Sequence, residues 1–225
     1  KQLLIKKKWN ITWQMPAGTR SEALDDEALE LMILSGQRNI SYAPESGSIT
    51  TLEKIKKKIK LDTMKKSLGS ALSKGMNVKL NLIMGFPNET NKEIFQTLNF
   101  MKDAAVLGVH DVYVACFSPY PGSELFDQLH DNSQIAKMND EYFLNLTSYS
   151  DMRHSYSYSP YLSDRMLTFY RLGGMLMFYI ISFTLHPKRI FRVLANVKNK
   201  KEESRLDMAL IQLIGRFKGT KEAGL

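Results

Sequence analysis

The sequence predicts an α/β fold built on parallel strands, with a helical region behind it. Three observations carry this. Over roughly the first 130 residues, short β-branched and aromatic runs alternate with longer runs whose apolar residues recur at helical spacing. The alternation is regular, which calls for right-handed crossovers between parallel strands. Beyond about residue 163 the strand-like runs stop and helical patterns remain. An open doubly wound sheet and a (β/α) barrel both satisfy these observations. In either, ligands bind at the carboxyl ends of the strands.

The first strand is expected in WNITWQM (Trp9–Met15), aromatic and β-branched. SEALDDEALELMILSG (Ser21–Gly36) follows as a helix: Leu24, Ala28, Leu31 and Met32 recur at helical spacing, acids fill the first turns, and Gly36 is the stop. RNISYA is the second strand. SITTLEKIKKKIKLDTMKKSLGSALSKG holds one or two helices, with Leu52, Ile55 and Ile59 on one face and then Met64, Leu68 and Leu72. NVKLNLIMGF is the third strand. NETNKEIFQTLNFMKDAAVLG is a helix with Ile94, Leu98 and Met101 inward, ending near Gly108, and DVYVACFSPY is the fourth strand. From residue 131 to 162 the chain is polar and aromatic without a clear period, as expected of an extended loop or cover. From Ser163 it is helical: a Met- and aromatic-rich helix broken at Pro187, a basic amphipathic helix in KRIFRVLANVKNKK, and a last helix from about Glu203 to Phe217.

The 225 residues, 44% hydrophobic and 24% charged, suffice for one sizeable core and exclude a disordered chain. A single cysteine, Cys116, excludes an internal disulfide framework. The formal net charge of +8 is compatible with nucleic acid, an anionic membrane or small anions, and selects none of them. The four histidines are scattered, without metal-ligand spacing, and are read as structural or surface residues. The chain begins at Lys1 without a leader pattern, and the expectation is that it starts inside a longer protein.

Three strand ends carry distinctive chemistry. In APESGS, Glu45 is an anion at the end of a strand, Gly47 permits close approach, Ser46 and Ser48 offer hydroxyls, and Ser48 suits the cap of the next helix. A helix-capping turn with a solvated Glu45 is the plainer reading. In NLIMGFPNET, Gly85 gives close approach, Pro87 fixes the turn, and Asn88 or Thr90 can cap the following helix. Asn81 is a polar residue in an apolar strand, and a ligand or a neighbouring side chain must satisfy it if it is buried. In CFSPYPGSELF, two prolines and a glycine build a rigid loop able to offer backbone groups to a purine edge, or simply to launch the helix at Glu124. Lys57, in a lysine run after Glu45, is by default solvated. It is also placed to lean over the strand ends and pair with a ligand carboxylate.

In this order and spacing, SGQRNISYAPESGS, GFPNET and FSPYPGSELF resemble the radical S-adenosylmethionine superfamily. The likeness is to the branch often joined to a cobalamin-binding domain, the relatives of the anaerobic cyclase of chlorophyll biosynthesis. It covers roughly Trp9 to Leu129. The resemblance implies a partial parallel (β/α) barrel over residues 1–130, a loop or cover over 131–162, and a helical C-terminal region over 163–225. It implies S-adenosyl-L-methionine as cofactor, bound beside a 4Fe-4S cluster and cleaved to a radical that starts methyl transfer, cyclisation or rearrangement on a small-molecule substrate. Cobalamin is a further implied cofactor, and a flavodoxin or ferredoxin the implied reductant.

Carried over to this sequence, Glu45 and Ser46 lie toward the methionine or ribose part of the cofactor. Lys57 pairs with its carboxylate, and Asn81 is near the ribose. The turn from Gly85 supports the adenosine, and the backbone at Ala115, Cys116 and Phe117 meets the adenine. Arg20 matches a basic position after the first strand. The departure is the cluster. The family holds it with three cysteines in C-x-x-x-C-x-x-C, and one cysteine cannot supply them. The chain is then either the C-terminal piece of a radical enzyme or a degenerate, cluster-less module for binding or interaction. An RNA-modifying enzyme is a third reading, disfavoured by the lack of a dense basic–aromatic patch. A cytoplasmic location is expected, with peripheral membrane contact as a further option. The uncharged run Leu172–Leu185 is shorter than a bilayer span, and the helix after Pro187 pairs an apolar stripe with Lys188, Arg189, Arg192 and Lys198.

Overall fold

Four strand-like runs pair as a single parallel sheet in the computed structural model, which describes residues 11–19, 24–135 and 137–222. The strands are β1 (Trp13–Thr19), β2 (Gln37–Glu45), β3 (Asn77–Met84) and β4 (Asp111–Cys116), in the spatial order β1-β2-β3-β4. Helix α1 (Asp26–Leu34) joins β1 to β2. Helices α2 (Ile49–Lys54) and α3 (Leu61–Ser73) join β2 to β3, and α4 (Asn91–Leu107) joins β3 to β4. Sequential order with a crossover at each step is the arrangement of a barrel segment, and the expectation of an α/β fold with C-terminal helices holds.

Strand β1 lies four residues later than expected, and its ladder to β2 is irregular between Trp13 and Gln14 and between Met15 and Thr19. Pro16 has no N–H to give, so the ladder cannot run regularly between Met15 and Thr19. The long segment after β2 is two helices. Lys56 adopts a left-handed conformation (φ 57°) just past α2, and this breaks the Leu52–Ile55–Ile59 face read from the sequence. Helix α4 has a full capping box, Thr90 with Glu93, and ends at Gly108 in the left-handed region.

Along β3 the burial alternates. Val78, Leu80, Leu82 and Met84 join Met64 and Leu68 of α3 and Ile94 and Met101 of α4 in the main core. Asn77, Lys79, Asn81 and Ile83 stand half-buried on the opposite face. Every residue of the edge strand β4 is buried, because the C-terminal region folds against it. That region comprises α5 (Glu124–Asp131), α6 (Asp140–Leu146) with a 3-10 turn at Thr147–Tyr149, α7 (Asp164–Leu185), α8 (Lys188–Lys198) and α9 (Arg205–Glu222). The cover, read as a loop, therefore contains helix α6.

Arg171 of α7 fastens the cover. It is 1% exposed. Its Nε donates to the Val114 carbonyl of β4 at 3.2 Å, and its Nη1 donates to the Asp151 and His154 carbonyls and to Ser155 Oγ at 3.4, 3.2 and 2.8 Å. All of these acceptors are neutral, so burial lowers the guanidinium's pKa from its ordinary value. Replacing Arg171 with Met fills the space and strands several buried acceptors. The expected loss of unfolding free energy is about 3 kcal/mol, measured by denaturant titration.

Candidate functional site

The carboxyl ends of β3 and β4 open into a cleft of about 340 Å³. Ile83, Phe86 and Phe117 form its floor, Lys54, Ile55 and Lys56 one wall, and Tyr120, Ser123, Glu124, Leu125, Gln128 and Tyr149 the other. The floor rests on a second, aromatic core. The Phe86 and Phe117 rings are 5.1 Å apart, and Tyr158 meets Phe117 edge-on at 6.0 Å. The Lys56–Glu124 ion pair, 2.5 Å long, spans the mouth between two exposed side chains and is worth little in stability. Tyr149 is held in the wall through its carbonyl, which accepts from Tyr113 Oη at 3.0 Å.

Glu45 ends β2 with a left-handed backbone (φ 70°), an uncommon conformation for a residue with a side chain. The ladder is irregular between Tyr42 and Glu45, so Glu45 leaves the simple alternation of the strand. Its Oε1 accepts from Lys57 Nζ at 2.9 Å, both side chains being partly buried. Lys57 directly follows the lysine wall of the cleft. Asn81 lies on the same face of β3 as Ile83, one alternate position below the floor. Ala115 is opposite Ile83 in register, and Phe117 continues from β4 into the floor.

Two sequence candidates are committed to packing. Ser46 is fully buried; its hydroxyl bonds Thr97 Oγ1 at 3.0 Å and accepts from the Ser48 amide at 3.1 Å. These contacts, with the Gly47 amide donating to Thr97 Oγ1, dock the end of β2 on α4. A Cβ on Gly47 would lie 2.8 Å from the Thr97 Cα, which explains the glycine. Cys116 turns into the main core, where its thiol donates to the Tyr156 carbonyl at 3.4 Å and burial raises its pKa. Ser48 caps α2, as its position suggested. Arg20 lies outside the described residues.

The residue that sequence reasoning missed is Glu89, inside the GFPNET motif. It is 1% exposed. Its Oε2 accepts from the Gly85 and Phe86 amides at 2.7 and 3.2 Å, and its Oε1 accepts from Thr51 Oγ1 at 3.4 Å. The carboxyl thus fixes the turn that carries Phe86, at a glycine whose φ is 91°. Burial pushes its pKa up to about 7, against the opposing effect of the two amides and the hydroxyl. The available signal was a turn whose free amides needed an acceptor. Among the described residues, no group of three His, Cys, Asp or Glu is placed to hold a metal ion.

No family model matches the chain. It is similar to curated proteins over part of its length. An uncharacterized methyltransferase of Pyrococcus horikoshii is 24% identical over 81% of the chain and 36% of the relative. A cytidylyl-2-hydroxyethylphosphonate methyltransferase of Streptomyces wedmorensis is 32% identical over 53% of the chain and 23% of the relative. The anaerobic magnesium-protoporphyrin IX monomethyl ester cyclase of Rubrivivax gelatinosus is 22% identical over 59% of the chain and 23% of the relative. The chain thus spans about a third or less of each of these relatives.

The raised pKa of Glu89 sets the sign of a pH effect. Between the carboxyl's ordinary pKa of 4.5 and about 7, the folded state keeps a proton that the unfolded chain releases. Stability therefore falls as pH rises through this window, by on the order of 3 kcal/mol for this one group. Glu89→Gln mimics the neutral acid, its amide donating to Thr51 and its carbonyl accepting the two turn amides. Denaturant titrations at pH 4.5 and pH 8 are expected to show a smaller fall for Glu89→Gln than for the native chain, with Glu89→Ala destabilised at both.

Proposed function

We propose that this chain is the barrel portion of a larger radical S-adenosylmethionine enzyme, and that the cleft over β3 and β4 receives the adenosyl end of S-adenosylmethionine. The observation that carries the reading is that the aromatic floor, the Glu89-fixed turn and the Glu45–Lys57 pair all lie at the carboxyl ends of neighbouring parallel strands. The similarity to the methyltransferases and the cyclase adds support. In this reading Phe86 and Phe117 lie beneath the base, and the backbone beyond Ala115 meets its edge. Lys57 exchanges its Glu45 partner for the ligand carboxylate while Glu45 turns to an amine or hydroxyl. Asn81 serves the ribose.

When bound, S-adenosylmethionine supplies the radical that starts chemistry on the substrate. The residues of this chain do not fit the 4Fe-4S cluster, since its one cysteine is buried in the core. The cluster ligands, any cobalamin and the docking of a flavodoxin or ferredoxin belong to other parts of the parent. The same buried cysteine favours a second reading, a cluster-less module that keeps the ligand cleft without the radical chemistry.

Equilibrium dialysis with radiolabelled S-adenosylmethionine tests the cleft. Without an iron anchor the expected dissociation constant is on the order of 0.1–1 mM, weakened about tenfold by Phe117→Ala and severalfold by Lys57→Ala. Circular dichroism checks that each variant is folded. Absence of saturable binding by the native chain, or equal binding by folded Phe117→Ala, would overturn the assignment.

A further inference from the structure

We propose that the outer surfaces of α7 and α8 seat this chain on an anionic membrane surface. The inner face of α7 is occupied: Leu167, Arg171, Gly174, Phe178 and Ser182 are buried, and a Cβ on Gly174 would lie 2.6 Å from Leu98 of α4. The helix has the length and composition of a membrane span, yet its bonds to β4 and its packing on α4 hold it in the domain as a lateral helix. Its outer face is apolar along its length. Phe169, Leu172, Leu176 and Ile180 repeat at three- and four-residue spacing and are 71, 44, 62 and 57% exposed. Phe95 of α4 extends the stripe through its ring contact with Tyr170.

Helix α8 continues the pattern by an unexpected route. Its basic residues are not all on its outer face. Arg189 turns inward, donating to the Val109 carbonyl and Ser182 Oγ at 2.8 and 2.6 Å and also to the Gly108 carbonyl, so that it closes the C-terminus of α4. Arg192 reaches Asn77 Oδ1 at 3.2 Å. Ile190, Phe191 and Leu194 are left facing out, at 41, 72 and 60% exposure, with exposed Lys188 and Lys198 at the two ends of the helix. An apolar strip with lysines at its ends suits a helix lying in the interface, its lysine stems running along the apolar face to reach headgroups.

Charge selects the occupant. From Arg165 to Lys201 the chain has eight basic and no acidic residues, which equals the net charge of the whole chain. Of these, Arg171 is buried and Arg189 and Arg192 turn inward, which leaves Arg165, Lys188 and Lys198 exposed on the two helices and Lys200 and Lys201 just past the end of α8, with Asp164 and Glu202 flanking the run. A second copy docking through the same patch would bring the exposed Arg165, Lys188 and Lys198 against their own copies. An anionic bilayer offers both complements, acyl chains for Phe169, Leu176, Phe191 and Leu194 and headgroups for the lysines.

Co-sedimentation of the purified chain with vesicles tests this. The expected result is binding to vesicles of equal parts phosphatidylglycerol and phosphatidylcholine, at least about tenfold stronger than to phosphatidylcholine alone and weakened by 0.5 M salt. Phe191→Glu with Leu194→Glu should lower binding about tenfold with an unchanged circular dichroism melt. Leu176→Glu provides the same test on α7 if the double variant fails to fold. The proposal is overturned if the native chain does not sediment with anionic vesicles. It is equally overturned if the folded glutamate variants bind as the native chain does, or if light scattering shows a native dimer that Phe191→Glu converts to monomer.

Discussion

A carboxyl group with almost no contact with water organises the end of β3. Glu89 has neutral donors as its hydrogen-bonding partners, two turn amides and a threonine hydroxyl, and each belongs to a different requirement of the fold. The amides fix the Gly85–Phe86 turn and so aim the Phe86 ring at the cleft floor. Thr51 brings α2 against the same turn, which sets where the lysine run following α2 begins and hence where Lys57 meets Glu45. The Glu89 carbonyl then accepts from Ser159 Oγ at 2.7 Å, which pins the far end of the cover. The group carries an electrostatic cost, expressed as its raised pKa, and its neighbours all use the geometry it imposes.

Arg171 is the converse arrangement. It is a buried cation among neutral acceptors, where Glu89 is a buried acid among neutral donors. The two are not paired with each other, and each holds one part of the same polar, aromatic cover. Arg171 takes the carbonyls of residues 151 and 154, while Glu89 takes the hydroxyl of residue 159. Between them the cover contributes Tyr158 to the aromatic core and accepts the Cys116 thiol at the Tyr156 carbonyl. A segment lacking hydrophobic periodicity is thus ordered by directional bonds to its backbone, as expected where side chains alone bury too little apolar surface.

This division explains what was legible in the sequence. The strands and crossover helices were readable because period-2 and period-3.6 patterns are determined by burial, and burial is what the sheet and its helices share. Helix α6 was not, since Tyr142 is the one buried residue of its seven and no stripe can form. The sequence left one or two helices open after β2, and the break could not be placed because its left-handed residue is Lys56 and not the glycine or asparagine that usually marks that conformation. At the site, Glu45 and Lys57 were visible as an anion and a cation twelve residues apart at a strand end. Ser46 drew attention as a hydroxyl, and its commitment to Thr97 depends on a helix fifty residues away. Glu89 escaped notice because its partners are main-chain amides, which every residue but proline carries. Arg189 and Arg192 followed the same rule: the helical wheel gave their spacing, and the carbonyls at the end of α4 and the Asn77 side chain decided which way they turned.

The same physics separates what the strand ends offer from what they do not. Recognition of a nucleoside needs a flat apolar floor and fixed main-chain groups, and these arise from successive strand ends, so a barrel segment can carry them by itself. Holding an iron–sulfur cluster needs several thiolates within one short loop, and a thiolate needs an environment that stabilises its charge. Cys116 is the opposite case. Its place in the main core raises its pKa and keeps the sulfur as a neutral packing group that donates to a carbonyl. Moving it toward metal binding would expose core surface and abandon the contact that ties β4 to the cover. What the described residues offer is therefore positional, an apolar floor and fixed main-chain groups at the strand ends, while the one thiol is spent on packing.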